Sequence, residues 1–158
     1  GLRIKPKPVD IETLEDIEHD VVFDEIKDTI IQGIRNSNYL IWVAVAWFTD
    51  VEIFNELKLR KEAGVSIRII TSDEQSNRYI IKELEENFDL IKVPLKGHYL
   101  SNRLHDKFCI IDLEYVMHGS YNWSKNARQN DETLATAMDR DFVKKFADEF
   151  IRLYNENK

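Results

Sequence analysis

The chain has 158 residues, enough for one domain with a hydrophobic core and too few to expect two. Apolar residues make up 43% and charged residues 32%, the profile of a globular domain, and a formal net charge of −7 argues against a surface that coats nucleic acid non-specifically. The longest apolar run, YLIWVAVAWF, holds ten residues, whereas a bilayer-spanning helix needs about 20. A single cysteine, Cys109, rules out an internal disulfide framework and a cysteine-based zinc site, and it suits a reducing, cytoplasmic location.

The first residues, GLRIKPKPVDI, carry two prolines and spaced lysines, so residues 1–19 read as an N-terminal arm and 20–158 as one domain. From Asp20 the spacing of Phe23, Ile26, Ile30 and Ile34 predicts a helix with one apolar face. The β-branched and aromatic run from Tyr39 to Phe48 predicts a central strand buried on both sides. Thr49 and Glu52 have the spacing of a capping box for a helix that buries Phe54 and Leu57 and stops at Gly64. A strand over 65–71, a helix over 77–87 and a strand over 88–94 continue the alternation. That order is βαβ logic and predicts a largely parallel sheet with helices on both faces. After a polar loop, LKGHYLSNR, the strand LHDKFCIID turns at Leu113–Glu114 into YVMH, a hairpin that makes the sheet mixed. A turn and short helix, a strand over 132–138 and a final helix over 140–156, with Phe142, Phe146, Phe150 and Leu153 in a stripe, complete the chain.

Charge on an apolar strand needs an explanation. Strand periodicity puts His105 and Lys107 on one side of LHDKFCIID, with Leu104, Asp106, Phe108 and Ile110 on the other. A histidine near a strand end and a lysine reaching out of an edge strand are ordinary features singly. Together they make a positive site with a nucleophile, suited to a phosphate. From Lys92 to Lys107 the local charge turns basic, through Lys92, Lys96, Arg103 and Lys107 against Asp106, and His98 lies in the same loop. Asp112 is either a turn residue or an anchor for a cation or a backbone amide. Downstream, Gly119–Ser120 permits a tight turn, Ser120 and Asn122 offer neutral donors, and Glu132 is placed to orient an imidazole. Trp123, beside that turn, is read as packing.

His105-x-Lys107 followed by four residues and Asp112, joined to GSYNWS and NDE, resembles the HKD motif and following elements of the phospholipase D superfamily, in its small single-motif members. The upstream AVAWFTDVEIFNELKLRKEAGVSIRIITSD resembles their first strand–helix–strand unit, so the similarity spans roughly residues 20–155. The resemblance implies a catalytic set of His105, Lys107, Asp112, Ser120, Asn122 and Glu132. His105 matches the nucleophile that forms a phosphohistidine. Lys107, Ser120 and Asn122 match the residues that hold the non-bridging oxygens, and Glu132 matches the carboxylate that orients the histidine. Asp112 matches the motif aspartate, in a structural or electrostatic role. Arg103 and His98 are candidate substrate contacts. One motif is half a site, because a single imidazole cannot attack phosphorus in line and protonate the opposite leaving oxygen, so a two-fold homodimer is implied. The expected activity is that of a metal-independent phosphodiesterase with no cofactor, acting on DNA or RNA as an endonuclease. A phospholipase D-type lipid hydrolase, and a nucleic-acid-binding or interaction module of a longer protein, are the alternatives.

Overall fold

A computed structural model describes residues 17–73, 77–94, 107–124 and 132–158, apart from the side chain of Tyr79. His105, Arg103, His98, the loop around them and the short helix expected after Trp123 lie outside the described residues. Among the described residues seven strands form one sheet: β1 (Glu18–Val22), β2 (Leu40–Ala44), β3 (Ser66–Ser72), β4 (Asp89–Val93), β5 (Lys107–Ile111), β6 (Tyr115–Gly119) and β7 (Leu134–Met138). Their order across the sheet is β1-β7-β6-β5-β2-β3-β4. The helices among the described residues are α1 (Ile26–Arg35), α2 (Val51–Glu62), α3 (Arg78–Asn87) and α4 (Arg140–Asn157).

The sheet is mixed, as expected, but most of its pairings are antiparallel. Only β2–β3 and β3–β4 run parallel, each joined by a crossover helix. β5, β6 and β7 form a meander, and β5 joins the parallel half by pairing antiparallel with β2. The alternation of helices and strands describes the first half of the domain and not the second. Three residues, 112–114, join β5 to β6, and Asp112 and Leu113, at φ 56° and 60°, give the connection its left-handed backbone.

Another difference lies at the start. Residues 18–22 form β1, paired antiparallel with β7, so the ordered sheet crosses the expected boundary at residue 19. Phe23, read as a core helical residue, is 70% exposed, and α1 begins only at Ile26. The helical spacing of Ile26, Ile30 and Ile34 extends formally to Phe23, but the chain before Ile26 is a strand followed by a bend.

Helices cover both faces. On one, Ile30 and Ile34 of α1, Ile53 and Leu57 of α2 and Leu84 of α3 pack on Ile41, Val43, Ile69, Cys109 and Met117. On the other, Val143, Phe150 and Leu153 of α4 pack on Ile70, Phe108, Ile110 and Val116. Each large apolar side chain buried in this way contributes about 1.5–3 kcal/mol. Bidentate hydrogen bonds from Arg35 to Glu56 (3.0 and 2.8 Å) tie α1 to α2. The cap of α2 is Asp50 rather than Thr49: its Oδ1 accepts from the Glu52 and Ile53 amides at 3.0 and 3.1 Å, and its Oδ2 lies 2.9 Å from Lys27 Nζ. Burial depresses the Lys27 ammonium, but hydrogen bonds to Asp50 and Glu52 outweigh it and hold the pKa above the ordinary value.

Candidate active site

Both faces of β5 are core. Phe108 and Ile110 meet α4, while Cys109 and Ile111 lie in the cluster under α1–α3. Lys107 therefore reaches the surface from the end of the strand, where β5 emerges from the sheet, and not from an open face. That end is where the carboxyl ends of parallel β2, β3 and β4 also emerge, the side on which open α/β sheets carry their ligands.

Strand register assembles the candidate residues. Lys107 stands opposite Gly119, and Gly119 stands opposite Leu134, so the residues just past β6 meet those just before β7. The Ser120 hydroxyl donates to Glu132 Oε2, and the Thr133 amide reaches Ser120 Oγ at 3.5 Å. Gly119 makes this approach possible. It sits at φ 146°, and a Cβ there would lie 2.6 Å from the Thr133 carbonyl oxygen. Ser120 and Glu132, twelve residues apart, thus form a directly bonded pair with the serine proton directed to the carboxylate.

Asn122 is oriented by the loop that follows β2. Its Oδ1 accepts from the Trp47 amide at 3.1 Å, which leaves its NH2 group as the donor end. The same two segments are zipped together further: the Trp123 amide donates to Trp47 O at 3.0 Å, and Trp123 O accepts from Thr49 and Asp50 at 2.7 and 3.0 Å. Trp123 is a packing residue, 3% exposed and edge-on to Phe48 at 5.3 Å. Lys107, Ser120, Asn122 and Glu132 are thereby gathered at one end of the sheet.

Asp112 is not there. It lies five residues beyond Lys107, about 16 Å along an extended strand, at the opposite end of β5. Its carboxylate accepts from the amides of Asn38, Tyr39 and Leu40 at 2.9, 2.7 and 2.9 Å. Of the two roles open to it, the structural one is what these contacts describe: it caps the backbone entering β2. A cavity of about 520 Å³ adjoins that end, lined by Glu25, Asp28, Asp112 and Glu114 among others. Its carboxylates make it a poor receptor for a phosphodiester. The other histidines with described positions serve packing and pairing. His118 contacts Phe142 and Phe146, and His19 bonds Asp139 at 2.8 Å. Burial pushes the Cys109 thiol far up, so the cysteine beneath Lys107 is no competing nucleophile.

Sequence reasoning missed Asn77. It is fully buried at the start of α3, where a polar residue signals a cap, yet its side chain makes no cap bond. Instead its Oδ1 accepts from the Phe48 amide at 2.9 Å, and its Nδ2 donates to Ala46 O, Thr71 Oγ1 and Ser72 O at 3.0, 3.1 and 2.9 Å. Asn77 clamps the backbone on both sides of Trp47, and so holds the amide that orients Asn122.

This fold and cluster define a phospholipase D-like domain. Residues 30–154 match the family described as "Cardiolipin synthase, PLD-like domain", and the chain belongs to that family. It is similar to the mitochondrial cardiolipin hydrolase of Xenopus tropicalis, 30% identical over 117 residues covering 72% of this chain and 54% of that protein. It is also similar to protein FAM83B of Homo sapiens, 26% identical over 143 residues covering 82% of this chain and 14% of that protein. The chain thus spans about half of one relative and a small part of the other. Among solved structures, NucT from Helicobacter pylori superposes with a TM-score of 0.77 at 23% identity, over 89% of this chain and 97% of that one.

Proposed function

We propose that the chain is a metal-independent phosphodiesterase, acting on DNA or RNA through a phosphohistidine on His105, with one active site built from two subunits. The bonded Ser120–Glu132 pair, at the sheet end that also carries Lys107 and Asn122, carries this reading. Three side chains that suit phosphate oxygens and one carboxylate that suits an imidazole converge from three strand ends.

In the proposed cycle the His105 imidazole of one subunit attacks phosphorus, forming an N–P bond as the P–O bond to the leaving alcohol breaks. His105 of the partner subunit donates the proton that alcohol needs. The partner histidine, now neutral, takes a proton from water, whose oxygen attacks the phosphohistidine and releases the first imidazole. Lys107 and the Asn122 amide stabilise charge on the equatorial oxygens, and Ser120 joins them by turning its proton from Glu132 to the substrate. Glu132 is then available to a ring N–H of His105. Arg103 and His98 remain candidate substrate contacts in this reading.

The similarity to a cardiolipin hydrolase favours a second reading, phospholipid hydrolysis by the same residues. The deciding experiment incubates the protein in excess EDTA with single- and double-stranded DNA and RNA, and with cardiolipin vesicles, beside His105→Asn. Nucleic acid cleaved by the parent and not the variant supports the proposal. Headgroup release without strand cleavage selects the lipid reading, and an active monomer at micromolar concentration overturns the shared site.

A further inference from the structure

Trp47 falls inside the run read from sequence as a doubly buried strand, yet its side chain is 44% exposed while Ala44, Val45 and Phe48 are fully buried. The other two tryptophans are packed: Trp42 stacks on Phe150 at 5.0 Å, and Trp123 meets Phe48 edge-on. Among the described residues no aromatic ring stacks on Trp47. An exposed indole is unremarkable when its backbone is loose, but this one is fixed at four points. The Trp47 amide donates to Asn122 Oδ1 at 3.1 Å and its carbonyl accepts from the Trp123 amide at 3.0 Å. The Ala46 carbonyl and the Phe48 amide on either side are held by buried Asn77.

We propose that Trp47 is a nucleobase platform beside the phosphate site, which makes single-stranded nucleic acid the substrate class. This rests on the phosphodiesterase reading, because the residue to which the Trp47 amide is bonded, Asn122, is there assigned to a non-bridging oxygen. Because the Trp47 amide bonds Asn122, a phosphate held by Asn122 would place its nucleotide beside residue 47. In a duplex each base is stacked on both faces, so only an unstacked base can lie on the platform. Stacking accepts every base, so the platform adds affinity without sequence preference. Its rigid backbone means that little order is lost on binding, and Trp offers a large contact area with two rotatable side-chain bonds.

Tryptophan also favours the headgroup level of a bilayer, and Val51, on the first turn of α2, is 49% exposed. Two apolar side chains, with the exposed carboxylate of Glu52 beside Val51, make a small apolar area for a membrane, and the bonding of the Trp47 backbone to Asn122 points to the phosphate site instead.

The test is binding, which needs no turnover. In the His105→Asn protein, fluorescence anisotropy measures affinity for a short single strand, for the same backbone with abasic sugars, and for the duplex. The intact strand should bind tighter than the abasic one by roughly 5- to 150-fold, the range of one base–aromatic stack. Adding Trp47→Ala should erase that difference and leave abasic affinity unchanged, while Trp47→Phe should retain most of it. The proposal is overturned by equal weakening toward both strands, by no change, or by no binding to either. It is also overturned by dissociation of a dimer on substitution, or by an effect confined to vesicles of phosphatidylcholine and cardiolipin. Base-dependent binding without hydrolysis in the EDTA assay would leave the platform standing and remove the phosphodiesterase; hydrolysis without base dependence would do the reverse.

Discussion

Replacing Asp112 separates a structural from a catalytic aspartate. Its carboxylate receives three backbone N–H groups at 2.7–2.9 Å, from Asn38, Tyr39 and Leu40, and it holds φ 56° at the hairpin. A hydrogen bond to a charged acceptor is worth about 1.5–3 kcal/mol net. Tyr39 is exposed and water would recover much of its bond, whereas Leu40 is half-buried. Asp112→Ala should therefore cost about 2–4 kcal/mol, including the lost tolerance of the left-handed backbone that aspartate shares with asparagine. In a domain of this size that lowers the melting temperature by about 5–15 °C, and urea titration should show a lower midpoint with an unchanged slope. Asp112→Asn, which keeps an acceptor and the backbone preference, should lose less than half as much. Below the transition, phosphodiesterase turnover per folded molecule should match the parent, since Lys107 lies about 16 Å away along β5. A folded Asp112→Ala protein with stability intact and turnover abolished would refute the reasoning.

Four other substitutions probe the remaining contacts. Ser120→Ala should lower kcat by about 10²-fold, the scale of one donor lost from a preorganised anion site, in a steady-state assay with EDTA present. Gly119→Ala forces a Cβ to 2.6 Å from the Thr133 carbonyl at φ 146°, and should cost on the order of 1–3 kcal/mol in urea titration and separate Ser120 from Glu132. The Asp139 carboxyl is held below its ordinary 3.8, first by the His19 hydrogen bond and then by the Phe142 amide. A depressed folded value means stability that is full above 3.8 and lost as pH falls through the folded value. Asp139→Asn keeps the helix cap, so urea midpoints measured down the acid range should show a shallower decline than the parent's. Asn77→Leu leaves the buried Phe48 amide without its acceptor, while the Ala46 carbonyl keeps its bonds from Thr71 and Ser72, and should cost about 1–3 kcal/mol by thermal unfolding.

What the sequence made legible followed from strong local signals. The spacing of Phe54 and Leu57, the stop at Gly64 and a hairpin between LHDKFCIID and YVMH are each local, and each stands in the structure, with Asp112 and Leu113 as the left-handed turn residues. Lys107, Ser120, Asn122 and Glu132, singled out by motif spacing, lie at one end of the sheet, whereas His105 lies outside the described residues. Non-local partners were not. β1 contains no strong apolar alternation, and its existence depends on β7, more than a hundred residues away. Asn77 resembles a cap until the carbonyl of Ala46 is placed beside it. Trp47 resembles core because it stands in an apolar run between Val45 and Phe48, both fully buried, although β2 itself ends at Ala44. Parallel pairing was over-read for a related reason: each βαβ unit announces itself locally, whereas the antiparallel attachment of β5 to β2 is a matter of sheet order.

That attachment also accounts for where the site is. Among the described strands, β2 is the one with a parallel neighbour on one side, β3, and an antiparallel neighbour on the other, β5. At its carboxyl end the chain leaves toward α2, and the start of β5 lies alongside, so the first half of the domain meets the second there. The two halves are then locked by groups that are themselves part of the candidate site: Asn122 from the meander binds the Trp47 amide, while Asn77 from the parallel half grips the residues on either side. Burial of Asn77 fixes the Trp47 amide, and the Trp47 amide fixes the Asn122 side chain, so a residue remote from any substrate sets the direction of a proposed phosphate donor. Among the described residues, these bonds hold the Trp47 backbone and the Asn122 side chain in one arrangement, which suits the preorganised donors that the proposed anion site needs.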